Sequence, residues 1–170
     1  MNTVKTSFRI EPCKPTNSDD FHRLAEAYSK LFNEKNSLKF LSLTGIRFDN
    51  PTIYSLLKNA PVNDTDYFTA ISPQNEILGI AIFESDILKG FTVMGIVVDS
   101  NYQEYGIGTT LINKGIEIAR EKEFKAVDIS VFADNKSMLI MLLKMDFKPV
   151  RIENNARFDA EDLVHLKRYL

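Results

Sequence analysis

Cysteine is the scarcest chemistry in this chain. Cys13 is the only one among 170 residues, so no disulfide can close within it. With Lys14 as its sole basic neighbour, that thiol reads as a buried or edge group rather than a nucleophile. The two histidines, His22 and His165, lie far apart and have no neighbours at metal-ligand spacing, so no metal is expected. His22 reads as a solvent or boundary residue of a first helix. An excess of positive charge is also missing. Net charge is -2, which excludes a general basic field for nucleic acid. Twelve Phe and six Tyr could stack bases, but no basic stripe accompanies them. The longest apolar run, Met138 to Leu143, falls far short of the ~20 residues that cross a bilayer, so no membrane partner is expected. Met1 to Pro12 carries no apolar signal-type region, which makes the cytoplasm the default location. There is no internal repeat, no low-complexity segment and no Gly-x-Ser-x-Gly nucleophile elbow. Oligomeric state is not written in the sequence, and a homodimer is compatible with it.

What remains is a chain of ordinary globular composition, long enough for one domain, 1–170, with a real core. Its most informative stretch is Gly95 to Thr110. An apolar strand, Phe91 to Val98, enters a polar turn, then Gly106-Ile107-Gly108, and a helical pattern starts at once. The first N–H groups of a helix lack internal partners and carry the positive end of its dipole. Glycines there let backbone approach an anion, so the arrangement suits phosphate. Two phosphate loops are excluded by what is absent: the dinucleotide fingerprint needs a third glycine where Leu111 stands, and the Walker loop needs Lys after the glycine where Thr109 stands. A tight turn before an ordinary helix is the bland alternative.

Around that stretch the periodicities are clear. Ser7 to Glu11 alternates as a strand, ended by Pro12 and Pro15. Thr16-Asn17-Ser18 offers N-caps to an amphipathic helix carrying Phe21, Leu24, Ala25, Tyr28, Leu31 and Phe32. Leu38 to Arg47 is ambiguous between helix and loop. Asp49-Asn50-Pro51 signals the start of a short helix, roughly Pro51 to Asn59. Asp66 to Ile71, Glu76 to Glu84 and Phe91 to Val98 form an antiparallel meander, the first two joined by the turn Ser72 to Asn75. Gly95 inside the third strand marks either a bulge or packing room for a neighbour. The helix from Gly108 buries Leu111, Ile112, Gly115, Ile116 and Ala119. Lys125 to Val131 then completes a βαβ unit with parallel strands. Asn135 caps the next helix or serves a ligand. Lys148 to Ile152 reads as a strand. Asp162 to Tyr169 could be helix by propensity alone.

The run Val98-Asp99-x-x-Tyr102-Gln103-x-x-Gly106-Ile107-Gly108-x-x-Leu111 resembles the pyrophosphate loop of the GNAT superfamily of acyl-CoA N-acyltransferases. Gln103, Gly106 and Gly108 fill that family's Arg/Gln-x-x-Gly-x-Gly/Ala pattern. Ser100 replaces its frequent Pro, and Glu104 its frequent Gly. A second run matches through Asn135, Met141, Lys144 and Phe147, with Met138 in place of Ala, Asp146 of Gly and Leu142 of Tyr. The resemblance implies an α/β fold: a mixed, mostly antiparallel central sheet with a βαβ crossover, helices on both faces and Asp162 to Tyr169 as a final strand. It implies N-acetyltransfer from acetyl-CoA, as acyl-donor cosubstrate, to an amine-bearing acceptor. Gln103, Glu104, Tyr105, Gly106, Ile107, Gly108 and Thr109 would hold the pyrophosphate. The backbone of Ile96, Val97 and Val98 would hold the pantetheine arm, with Asn135 beside it. An N–H of Ile96 or Val97 would polarise the acyl oxygen. The catalytic residues stay open: Leu142 cannot act as the acid that the family's Tyr is proposed to be, and Glu84, Asp86 and Glu104 are the carboxylates considered as base. A binding module that does not turn over is the alternative.

Overall fold

The computed structural model describes residues 7–60 and 64–170. Part of the first segment, Met1 to Pro12, and three residues before the second strand lie outside them. Among the described residues thirteen elements run in order. β1 (Arg9–Pro12) leads to α1 (Ser18–Phe32), α2 (Lys35–Leu41) and α3 (Asn50–Asn59). The meander follows as β2 (Thr65–Ile71), β3 (Ile77–Asp86) and β4 (Gly90–Val98), ending in a 3-10 turn at Ser100–Tyr102. Then come α4 (Ile107–Glu121), β5 (Ala126–Phe132), α5 (Lys136–Lys144), β6 (Lys148–Glu153) and β7 (Leu163–Tyr169).

The seven strands make one sheet in the order β1-β2-β3-β4-β5-β7-β6. Every neighbouring pair is antiparallel except β4 with β5. That one parallel pair is the product of the α4 crossover, since a hairpin cannot join parallel strands. The C-terminal segment is a strand despite its helical propensity. Its pairing with β5 and β6 on both sides supplies ladder partners that an isolated propensity cannot weigh.

Helices cover both faces. α4 and α5 close a core of Phe83, Phe91, Leu111, Ile112, Val127, Ile129 and Leu142. α1 and α3 close a second with Leu24, Leu31, Ile53, Ile80 and Val97. Alternation along each strand divides its side chains between the two cores. The helix starts follow the capping chemistry: Asn17 Oδ1 accepts from Asp20 N at 3.0 Å, and Asp49 Oδ1 from Thr52 N at 2.9 Å. Asp49 is the α3 cap, and Pro51 stands second in the helix. The ambiguous stretch resolves as α2 followed by loop through Gly45. Its loop is held by Phe158 N donating to Leu43 O at 3.0 Å.

Candidate active site

β4 and β5 pair only over Phe91 to Val93 and Val127 to Ile129. Beyond that point the strands separate, although β4 continues to Val98 and β5 to Phe132. The cause is local. The register of β4 on β3 slips between Ile82 and Phe83, where Ile82 faces Gly95 but Phe83 faces Val93. Met94 is therefore an extra residue, and a bulge bends its strand. So the bulge reading of Gly95 holds, and a Cβ there would make only an ordinary contact, 3.4 Å from Tyr28 Oη. Burial, with a smaller contribution from nearby Tyr67, pushes the Tyr28 phenol up to about 12, so it stays protonated near neutrality.

Which β4 amides face the gap follows from parity. Asp99 N donates to Leu78 O at 2.8 Å. In an antiparallel ladder alternate residues turn the same way, so Val97 and Gly95 also face β3, while Val98 and Ile96 turn their N–H groups to the gap. A Cβ at Gly79 would meet Val97 O at 3.1 Å, which places that carbonyl on the β3 side too. Of the two amides expected near the acyl oxygen, Ile96 is the one that is free.

The gap opens into a cavity of about 560 Å³. Ile96, Val97 and Val98 form one wall; Gln103, Glu104, Gly106, Ile107, Gly108 and Thr109 form its end; Asn135 lies on another wall with Met138 and Met141. Tyr105 alone among the expected residues is not part of the lining. It is exposed, with its ring 6.4 Å from that of Tyr102.

The loop's backbone is unusual in a consistent way. Glu104 (φ 69°) and Gly106 (φ 83°) are both left-handed, and Gly106 is the N-cap of α4. Past the 3-10 turn, among the described residues, no acceptor takes the amide hydrogens of Gly106 to Thr109. A row of unpaired N–H groups at a helix start has the geometry that can cradle an anion. Gly106 is glycine for its backbone angle. Gly108 is helical, and a Cβ there would meet nothing nearer than Met141 Sδ at 3.9 Å; its missing side chain simply leaves the cavity open.

Asn135 is a cap: its Oδ1 accepts from Met138 N at 3.3 Å. Its side-chain amide nitrogen makes no hydrogen bond among the described residues and sits at the cavity wall. Leu142 is fully buried in the α4-side core and is not part of the lining. Asp146 takes the left-handed position (φ 64°) after α5, as its place in the resembled pattern requires.

The carboxylates expected as bases do not gather at the acyl end. Asp86 Oδ1 accepts from Leu88 N at 2.7 Å and Lys89 N at 2.9 Å. The amides of Lys89 and Leu88 hold that carboxyl below its usual range, as in an ordinary turn. Glu84 pairs across to Thr92, outside the lining. Glu104 lines the cavity at its cradle end.

Two contributors were not legible in the sequence. α2 covers the far end of the cavity with Phe40 and Leu41. It is fastened by Arg157, whose side chain is only 1% exposed. Arg157 donates to Asp134 at 2.7 and 3.1 Å, to Asp159 at 2.6 and 3.0 Å and to Lys39 O at 3.0 Å. Lys39 Nζ reaches Asp134 at 2.9 Å. Hydrogen bonds from Arg157, then from Lys39, hold the Asp134 carboxyl below its usual range. The second contributor is Ser130, a cavity residue on β5, 2.9 Å from His165 Nδ1. The pair is a cross-strand neighbour relation, visible only once β7 is known to lie beside β5. Cys13 is half-buried, and burial, then Asp20, push its thiol up, which fits an inert thiol.

Comparison with known proteins agrees with this geometry. The family model described as acetyltransferase (GNAT) family matches residues 23–147. No curated protein matches the chain in sequence. Solved structures share its fold at low identity. The ribosomal-protein-S18-alanine N-acetyltransferase of Escherichia coli aligns at TM-score 0.73 and 16% identity, over 96% of this chain and 94% of that one. An N-acetyltransferase of Staphylococcus aureus aligns at 0.77 and 18%, over 96% and 99%. A candidate streptothricin acetyltransferase of Bacillus anthracis, in complex with acetyl coenzyme A, aligns at 0.58 and 17%, over 66% and 65%. The chain belongs to the GNAT acetyltransferase family. Among the described residues no helix is long and apolar enough to cross a membrane, and no cluster of His, Cys, Asp and Glu could hold a metal ion.

Proposed function

We propose that this protein transfers an acetyl group from acetyl-CoA to a primary amine. The observation that carries the reading is the separation of β4 from β5 past Val93, leading directly to the row of unpaired amides at the α4 N-terminus. A slot with free strand amides joined to an anion cradle fits a ligand with an amide-bearing arm and a pyrophosphate.

In this reading the amides of Gln103 to Thr109 take the pyrophosphate, and Ile96 and Val98 bond the arm as an added strand would. Asn135 caps α5 with its oxygen and offers its amide nitrogen to the same arm. When bound, acetyl-CoA supplies an activated thioester. Holding it against the amine in a fixed geometry is the largest service the chain provides. Leu142 provides no acid. A CoA thiol has an ordinary thiol pKa near ~8.5, so its thiolate leaves without one. The acceptor reaches the thioester from the α2 side of the sheet.

The test is acetyl-CoA consumption and thiol release against a broad panel of amines, antibiotics and protein N-termini. The reading expects turnover with at least one class. Tight binding of acetyl-CoA with no acetylation anywhere in the panel would assign the chain as a binding module instead.

A further inference from the structure

Ser130 is the first β5 residue beyond the last pair joining that strand to β4, and it is exposed to the cavity. Val127, Ile129 and Val131 face the α4-side core, so alternation puts Ser130 on the opposite face, the one covered by α2. The direction of its hydroxyl is set by its neighbours. His165 Nε2 lies 2.7 Å from an Arg151 guanidinium nitrogen and 3.4 Å from Glu153 Oε2. A guanidinium can only donate. Nε2 therefore accepts, and the neutral ring carries its proton on Nδ1. That N–H points at Ser130 Oγ, 2.9 Å away. Ser130 then accepts on the histidine side, and its own hydrogen is left for an acceptor in the cavity that Ser130 lines.

We propose that Ser130 is a catalytic hydrogen-bond donor to the charge that develops during acyl transfer, and that His165 is the residue positioning it. This rests on the acetyl-transfer reading above. In the reaction the amine's C–N bond forms as the C–S bond breaks. Negative charge passes from the acyl oxygen to sulfur, and the ammonium proton reaches the thiolate through water. Ser130 keeps its proton throughout and donates to that charge. A donor that is itself receiving a hydrogen bond is polarised by it, and Arg151 places a cation at the far end of the chain. No base has to be regenerated.

The arrangement makes a specific statement about pH. The charged groups near His165 are Arg151 and Glu153 on β6, with the Lys167–Asp128 pair, 3.1 Å apart, one residue pair further along the same face. A second proton on the ring would sit on Nε2, the side that faces Arg151 and Glu153. The Nδ1 hydrogen still points at Ser130. The donor is thus present in both states of the histidine, whereas a base would need Nδ1 bare.

The experiment measures kcat and KM for acetyl-CoA between pH 6 and 8, using the best amine of the panel. Ser130→Ala should lower kcat on the order of 10²-fold, the cost of one positioned donor, at unchanged KM, and Ser130→Thr should recover most of it. His165→Leu should lose less than Ser130→Ala. His165→Asn, whose amide can donate in place of Nδ1, should be close to wild type, and its rate relative to wild type should not change with pH. An unaltered kcat in Ser130→Ala overturns the proposal. So does a His165→Asn as impaired as His165→Leu, with a deficit that grows toward alkaline pH, which would make His165 a base. A wild-type protein that binds acetyl-CoA but acetylates nothing overturns the acetyl-transfer reading and this proposal together. An active wild type with an unaffected Ser130→Ala overturns this proposal alone.

Discussion

The two ends of the cavity are built from different material. At the α4 end the protein presents main chain: amides of one continuous loop, turned by left-handed residues at Glu104 and Gly106. At the α2 end it presents side chains, Phe40 from α2 and Ser130 from β5, held from behind the lining by Arg157 of the loop between β6 and β7 and by His165 of β7. Backbone can grip only what all donors of the cofactor share. Side chains from scattered segments can be changed one at a time without disturbing that grip. Under the acetyl-transfer proposal the main-chain end would serve the acyl donor and the side-chain end the acceptor.

The contrast can be broken first at Arg157. Its buried guanidinium joins α2 to Asp134 and Asp159. Arg157→Met leaves Asp159 without its cation and Asp134 with Lys39 alone, and should cost about 3 kcal/mol, read as a fall in chemical-denaturation midpoint. Acetyl-CoA affinity of the folded fraction should be nearly preserved, because the cradle takes nothing from this cluster. The pH dependence has a definite sign. The folded-state carboxyl of Asp134 titrates below its usual range, so its stabilisation is present above the ordinary carboxylate pKa and is lost as pH falls through the lowered one. Arg157→Met should flatten the wild-type acid-side loss of stability.

Leu142 is next. Its place in the motif invites Leu142→Tyr as a restored acid that would raise the rate if space permits. The structure buries Leu142, on α5, completely in the core that α4 also closes. A ring there overpacks the core, so the variant should lose about 2 kcal/mol and gain no rate, checked by thermal melting and steady-state kinetics on the same preparation. Asn135→Ala should remove a cap and cost about 1 kcal/mol without ligand. It should also reduce the shift in melting temperature that acetyl-CoA produces. A preserved shift would leave Asn135 as a cap only.

The smallest change is at Glu104. Its left-handed angle costs a non-glycine residue roughly 1 kcal/mol, and glycine would give back a similar amount in chain entropy. Glu104→Gly should therefore leave stability nearly unchanged. Removing a carboxylate from the cradle should tighten acetyl-CoA a few-fold at low salt, an advantage that shrinks as salt rises.

The same division explains what could be read from sequence. The cradle is local: Gln103, Gly106 and Gly108 sit within six residues, and a motif that short carries its geometry with it. The meander and the crossover were legible from period-2 alternation followed by a helical period, while Gly95 left a bulge and packing room as equal readings until the register of β4 on β3 decided between them. α2 was ambiguous because seven residues without a buried side chain give no periodic stripe to detect. The Ser130–His165 pair and the Arg157 cluster were invisible because they join positions 35 and 118 residues apart in the chain. His165 looked idle beside its sequence neighbours and acquires its partners only across strands. The parity that frees Ile96 rather than Val97 depends on the register of β4 against β3, which no spacing records. Tyr105 was included by adjacency within the motif, and its side chain turns out to solvent.

The most direct test is of the cradle itself, by calorimetric titration of acetyl-CoA into wild type and Gly108→Val. Position 108 is helical and open, so the variant should fold and melt like wild type, with its side chain filling the place the pyrophosphate needs. The account predicts binding by wild type and none detectable by the variant. Equal affinities for the two proteins would contradict it.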